Sequence, residues 1–271
     1  MNAYALDLAA SFVVGGAWVA LASVAAQRLG GTVGGFIAGL PATAVLAVFF
    51  ITSSEGARHG FDVVSVFPLA ISVNAVFLAA FAALSRKSFS AGLLAALGIW
   101  VLLQAVLLYW HPVQFGVVVA FGVALFLGSL LFVGRLDTPD PGTQPVRHGM
   151  GGIALRAASG GAIIVVAMLG SRLGGPILGS VLSAFPATVV ATLIITDASA
   201  GRALTRVMAR PMMISGVVNC MVFALVYRQV VLEMNVLGAL AIAYAITLVS
   251  AAGTFWWLSI SHRGHARAIH T

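Results

Sequence analysis

Charge is what this chain most lacks. Asp, Glu, Lys and Arg together make up 8% of its 271 residues, against 61% hydrophobic residues, whereas charge occupies about a quarter of a soluble domain. That balance excludes a water-soluble globular fold. Cysteine is nearly absent as well: Cys220 stands alone in an apolar run, so there is no intrachain disulfide framework and no cysteine-based metal site. Acids number 7 against 14 bases, and Asp7, Glu55 and Asp197 all fall near the ends of apolar runs. A proton-relaying pump or a carrier of organic cations usually keeps an acid inside a span. The pattern therefore points to a neutral or anionic cargo, and away from coupling by a carboxylate within a span. HExxH, CxxC, GxSxG and Walker A patterns are missing too, so no enzyme activity, cofactor or metal is expected. The net charge of +7 does not imply nucleic acid, because the basic residues stand singly between apolar runs.

What is there is hydrophobic length. A helix needs about 20 apolar residues to cross the hydrocarbon layer, and nine segments qualify: 4–27, 31–53, 62–84, 89–110, 113–134, 149–171, 175–196, 207–227 and 234–260. The expected fold class is all-α, a polytopic transmembrane helix bundle of about nine spans; ten would require two crossings within 229–261. Residues 135–148 (RLDTPDPGTQPVRH) form the one long polar, Pro-rich linker. They divide a first membrane repeat with a connecting fifth span (1–134) from a second repeat with a basic tail (149–271). The N-terminal segment has no basic n-region, and the second half has a counterpart to it at 149–173, so it is expected to stay as a span. With the N-terminus outside, Arg28, Arg86, Lys87, Arg135, Arg147, Arg156, Arg202, Arg206, Arg210, Arg263 and Arg267 lie at inward ends, and only Arg58, Arg172 and Arg228 at outward ones. This asymmetry predicts an outside N-terminus, a cytoplasmic C-terminus and a place in the inner (plasma) membrane. Tyr109-Trp110 and Trp256-Trp257 read as interfacial anchors. The tail's His262, His265 and His270 could hold a metal weakly, but headgroup contact suits a basic tail better.

Two segments repeat each other. RLGGTVGGFIAGLPATAVLAVFFITSSEG (28–56) and RLGGPILGSVLSAFPATVVATLIITDASAG (172–201) align at an offset of 144, then 145 after one insertion. The offset of 145 also carries Asn74 onto Asn219. Spans two and seven are an odd number apart and so cross in opposite directions. The expected arrangement is an inverted internal repeat of four-helix units, with span five as connector.

The repeat nominates the site. Gly31, Gly35 and Gly39, like Gly175, Gly179 and Ser183, recur every fourth residue and make a stripe for close helix packing. Pro41 and Pro186 each remove an amide donor and clash with the carbonyl four residues earlier, at Ile37 and Leu182. The kink either exposes backbone to a substrate or is patched by a neighbouring hydroxyl, with Thr43 and Thr188 at hand. Asn74 and Asn219, midway along spans three and eight, either tie helices together or line a wet cavity. Arg156 and Arg210 lie near the inward ends of spans six and eight; they either snorkel to headgroups, the commoner behaviour, or line a path for an anion. Gln104 has no counterpart and is read as packing.

The motif Gly-Gly-x-x-Ala-Gly-x-Pro-Ala-Thr, followed by an apolar run and Ser-Ser-Glu-Gly, resembles the second helix of the small GlpM-like inner-membrane proteins. Ala-Phe-Pro-Ala-Thr in span seven resembles the corresponding helix of their longer relatives. The resemblance covers about a quarter of the chain and implies a duplicated four-helix unit, with no activity or site residue to carry over. The layout is also similar to the drug/metabolite transporter superfamily, although the membrane glutamate of its small multidrug members has no counterpart.

The expected function is transport of a small solute by alternating access, with the lipid bilayer and that unidentified solute as partners; a homodimer is left open. Two rival classes remain: a scaffold or assembly protein that uses its glycine stripes for partner helices, and a lipid flippase.

Overall fold

The computed structural model describes residues 3–29, 41–112, 114–136 and 149–268. Gly31, Gly35, Gly39, linker residues 137–148 and His270 lie outside the described residues, as do the side chains of Trp257, His262 and His265. Among the described residues there are nine helices and no strand: α1 (Ala3–Leu29), α2 (Ala42–Glu55), α3 (Ala57–Leu84), α4 (Phe89–Trp110), α5 (Phe115–Gly134), α6 (Met150–Ser183), α7 (Ala187–Ala200), α8 (Arg202–Val230) and α9 (Val236–Ala268). Seven apolar stretches among them are long enough to cross a membrane.

The expected boundaries differ from the observed ones in the second half. Met150–Ser199 is one apolar stretch of 50 residues, which as a straight helix would run about 75 Å through a hydrocarbon layer of about 30 Å. It folds back instead. Gly175 has φ 79° and ψ −176°, because Pro176 disfavours the helical conformation in the residue before it and only glycine takes a positive φ cheaply. Beyond this corner, residues 176–183 lie against the helix they came from, with Leu182 on Gly170 and Gly179 on Ser171. Gly175 is thus a turn residue rather than part of a packing stripe, and nothing lies within 4 Å of where its side chain would be.

α1 and the first arm of α6 pack antiparallel through small residues. A Cβ on Gly161 would meet the Phe12 carbonyl oxygen at 2.6 Å, and one on Gly16 would meet the Ala157 carbonyl oxygen at 3.2 Å. Likewise Gly15 abuts Ile164, and Gly160 abuts Val19. Each contact maps onto its partner by adding 145 to one residue and subtracting it from the other, so the interface is reciprocal. Tyr4 extends the same pairing outward: its hydroxyl donates to the Met168 carbonyl at 3.2 Å, and Arg172 sits 3.9 Å from its ring centre.

α3 and α8 form the centre and also run antiparallel. Arg228 Nε donates to Ser65 Oγ at one end, and Arg206 Nε donates to the Ala82 carbonyl at the other, both at 3.0 Å. α3 is almost wholly buried, with α2, α4, α5, α6 and α8 around it. The outer helices α4, α5 and α9 expose Leu94, Leu102, Leu131 and Val249, as a bundle solvated by lipid does.

Candidate functional site

Pro41 and Pro186 start two helices with matching backbone. Their φ/ψ values are −76°/44° and −80°/45°, and each is followed by a helix of 14 residues. The proline ring holds φ, while ψ near 45° breaks the helix ladder. The first amides after each proline therefore lack an intrahelical acceptor, and the ladder resumes with Val45 N–H to the Pro41 carbonyl (3.0 Å) and Val190 N–H to the Pro186 carbonyl (2.8 Å). Both helices end at a glycine corner of positive φ, 97° at Gly56 and 81° at Gly201.

The two breaks meet. A cavity of about 70 Å³ is lined by Pro41, Thr43 and Ala44 from the first, by Ser183–Pro186, Thr188, Val189 and Thr192 from the second, and by Ile71, Asn74 and Leu78 of α3 and Met212, Gly216, Val217 and Cys220 of α8. The walls are mostly apolar with a few polar groups, the make-up of a small-molecule site, although such sites usually measure about 300–1,000 Å³. The Ser183 hydroxyl is buried there and has no partner among the described residues.

The backbone freed by Pro186 is satisfied differently from expectation. The Leu182 carbonyl is taken by the Phe185 amide at 3.1 Å. The Ala184 carbonyl is taken by Asn74 Nδ2 at 2.9 Å, and Asn74 Oδ1 accepts from Trp100 Nε1 at 2.7 Å. Thr188 does not patch these carbonyls; it lines the cavity, as does Thr43, and Ile37, whose carbonyl Pro41 was expected to free, lies outside the described residues. Asn74 is therefore a cross-brace between the halves, with Trp100 further fixed edge-on against Phe185 at 5.2 Å. Asn219 is different. Its Oδ1 accepts from Ser250 at 3.1 Å, while its Nδ2 is buried with no partner among the described residues, next to the cavity residue Cys220. Subtracting 145 from Ala184 gives Gly39, which is outside the described residues.

Arg156 does not snorkel. It is 3% exposed, and its Nε and Nη1 have no partner among the described residues. It sits one turn from Gly160, which lies against Thr43, and one turn from Gly152, which lies against Ile195 of α7. Adding 145 to Ser11 gives Arg156, so this charge exists in one half only. Arg210 is exposed and stands away from the cavity. Gln104 Nε2 ties α4 to the Ala70 carbonyl of α3 at 2.9 Å.

Sequence reasoning passed over Trp100, Ser183 as a cavity hydroxyl, and the Gly15-Gly16 and Gly160-Gly161 pairs. The glycine pairs are separated by 145 and could have been found by extending the repeat toward the N-terminus. No group of three metal-ligating side chains occurs among the described residues.

A family described as "Protein of unknown function (DUF3147)" matches residues 8–114. The match takes in most of α1, all of α2 to α4, and stops one residue before α5. No curated protein and no solved structure matches the chain, so its likeness to GlpM-like proteins and to the drug/metabolite transporter superfamily rests on motif and layout alone.

Proposed function

We propose that the protein is a multipass membrane transporter moving a small neutral or anionic solute by alternating access at the cavity between the two proline breaks. On this reading the chain crosses the membrane nine times, with its N-terminus outside, and α1–α4 and α6–α9 are inverted copies joined by α5. The reciprocal glycine contacts, the equal dihedrals at Pro41 and Pro186 and the length of the family match all support that duplication. The observation that carries the reading is the convergence of two helix starts on one small, mostly apolar space. Each start presents the positive end of a helix dipole, which suits a carboxylate, phosphate or other acceptor-rich group. Arg156, buried on the first arm of α6 with no acidic partner among the described residues, adds positive potential and favours an anion. A scaffold would turn α2 toward lipid or a partner, yet Val48 and Ile51 of α2 are fully buried.

The test is uptake by proteoliposomes of a panel of labelled small neutral and anionic solutes. Wild type accumulates at least one of them, and the near-isosteric double variant Thr43→Val, Thr188→Val melts like wild type but accumulates none. Equal uptake by the double variant, or no uptake by wild type across the panel, would remove the proposal.

A further inference from the structure

We propose that Glu55, His59 and Ser171 form a proton-binding latch that holds the cavity shut from the end of the bundle carrying Tyr4. His59 Nε2 lies 3.1 Å from Glu55 Oε2 and 2.7 Å from Ser171 Oγ. These three residues come from three places: the last turn of α2, the first turn of α3 across the Gly56 corner, and the arm of α6 just before its own corner at Gly175. None of this is repeated in the other half, where adding 145 to Glu55 and His59 gives Ala200 and Leu204.

The geometry needs a proton between Nε2 and Oε2. With Nε2 bare, Ser171 could donate to it, but the Glu55 carboxylate would then face a lone pair at hydrogen-bond distance. With Nε2 protonated, the N–H is shared between the carboxylate and the hydroxyl oxygen. Uptake of one further proton from solvent, at Nδ1, makes the ring cationic and turns the contact into a charge-assisted pair about twice as strong. An imidazole takes that proton at about pH 6.5 in water. Glu55 meets the pair only halfway: its Oε1 is buried with no partner among the described residues, and the ring contact at Oε2 offsets part of the cost of burying the carboxylate.

The latch grips both elements that lead to the cavity. α2 runs from Glu55 back to Thr43 and Pro41, which line it. Ser171 is pressed against Gly179, where a Cβ would lie 2.6 Å from its hydroxyl, and Gly179 is one turn from the cavity residue Ser183. The ring therefore ties the last turn of α2 to the arm of α6 against which residues 176–183 lie. Near the latch in the chain, Arg58 pairs with Asp62 on α3 at 3.7 Å, and Arg172, next to Ser171, lies over the Tyr4 ring of α1, which in turn feels the charges of Glu55 and Asp7. The latch's role as a gate rests on reading the cavity as a transport site; its proton dependence does not.

The experiment measures distance rather than transport. Spin labels on Ser53→Cys and Leu173→Cys, both exposed, are placed in a Cys220→Ser chain reconstituted in lipid, and their separation is recorded by pulsed electron resonance at pH 5.5 and 7.5. The expected result is a short-distance population whose ratio to the long-distance one is at least threefold higher at pH 5.5. In His59→Gln and in Glu55→Gln the ratio is the same at both pH values. An equal ratio in the parent chain, or an equal pH response in His59→Gln, overturns the latch. A pH-dependent ratio in a protein that moves no solute upholds the latch while removing the transport reading, and uptake with a pH-indifferent distance removes the latch alone.

Discussion

Substituting Gly161 by Ala tests the packing on which the arrangement of the halves depends. The added Cβ would lie 2.6 Å from the backbone oxygen of Phe12, an atom that cannot swing away like the tip of a flexible side chain. An ordinary contact begins near 3.4 Å, so α1 and α6 would have to part by roughly 0.8 Å. Overpacking of this kind costs about 1–3 kcal/mol. The reciprocal Gly16→Ala meets Ala157 at 3.2 Å and needs only a few tenths of an ångström, so its cost is below about 1 kcal/mol. Gly98 and Gly128 have nothing within 4 Å, and Ala there gains up to about 1 kcal/mol of helix propensity. Melting in detergent should therefore rank Gly98→Ala and Gly128→Ala at or above wild type, then Gly16→Ala, then Gly161→Ala. The Gly16→Ala, Gly161→Ala double should lose less than the sum of its singles, because helices already parted for one methyl accommodate the second. Gly161→Ala melting at or above wild type, or strictly additive losses, would refute a shared interface.

Three further predictions follow from the same geometry. Asn74→Leu leaves the Ala184 carbonyl and the Trp100 N–H unpaired and should lose about 2–4 kcal/mol, against about 1–2 kcal/mol for Trp100→Phe; chemical unfolding in micelles reads the difference, and equal losses would contradict the brace. Arg156→Met removes a buried charge that has no acidic partner among the described residues, so its melting point without added solute should match or exceed wild type while uptake of an anionic solute falls at least tenfold; a large loss of stability would mean the guanidinium is already paired. Cys220 lines the cavity but is buried there, and a buried thiol reacts poorly; a small thiol reagent should therefore inhibit wild-type uptake only slowly and Cys220→Ser not at all, as measured by initial rates in proteoliposomes after timed exposure.

The repeat made the site readable because duplication leaves a pattern that hydropathy cannot blur. Pro41, Thr43, Asn74, Pro186 and Thr188 all line one cavity, and an offset of 145 was enough to single them out. The same rule could not say that Asn74 would have both ends of its amide occupied while Asn219 kept a donor free, because the helix partners Trp100 and Ser250 differ between the halves. Arg156 was read through its distance from a span end, yet burial depends on the neighbouring helices, and small residues at Gly152 and Gly160 bring those helices close. Gly175 was legible as one of a series of small residues, but its place before Pro176 was the stronger signal and turns the chain. The Glu55–His59–Ser171 contact joins residues more than 110 apart, and no local pattern announces such a pairing.

In the proposed mechanism the two breaks share one space that opens in turn to each side of the membrane. Its most direct test places a single thiol at Thr43→Cys or at Thr188→Cys in a Cys220→Ser chain and labels it with a membrane-impermeant reagent applied to one face of sealed vesicles. Both thiols are predicted to react from either face. A thiol at residue 43 that reacts from one face only, with one at residue 188 that reacts from the other only, would contradict it.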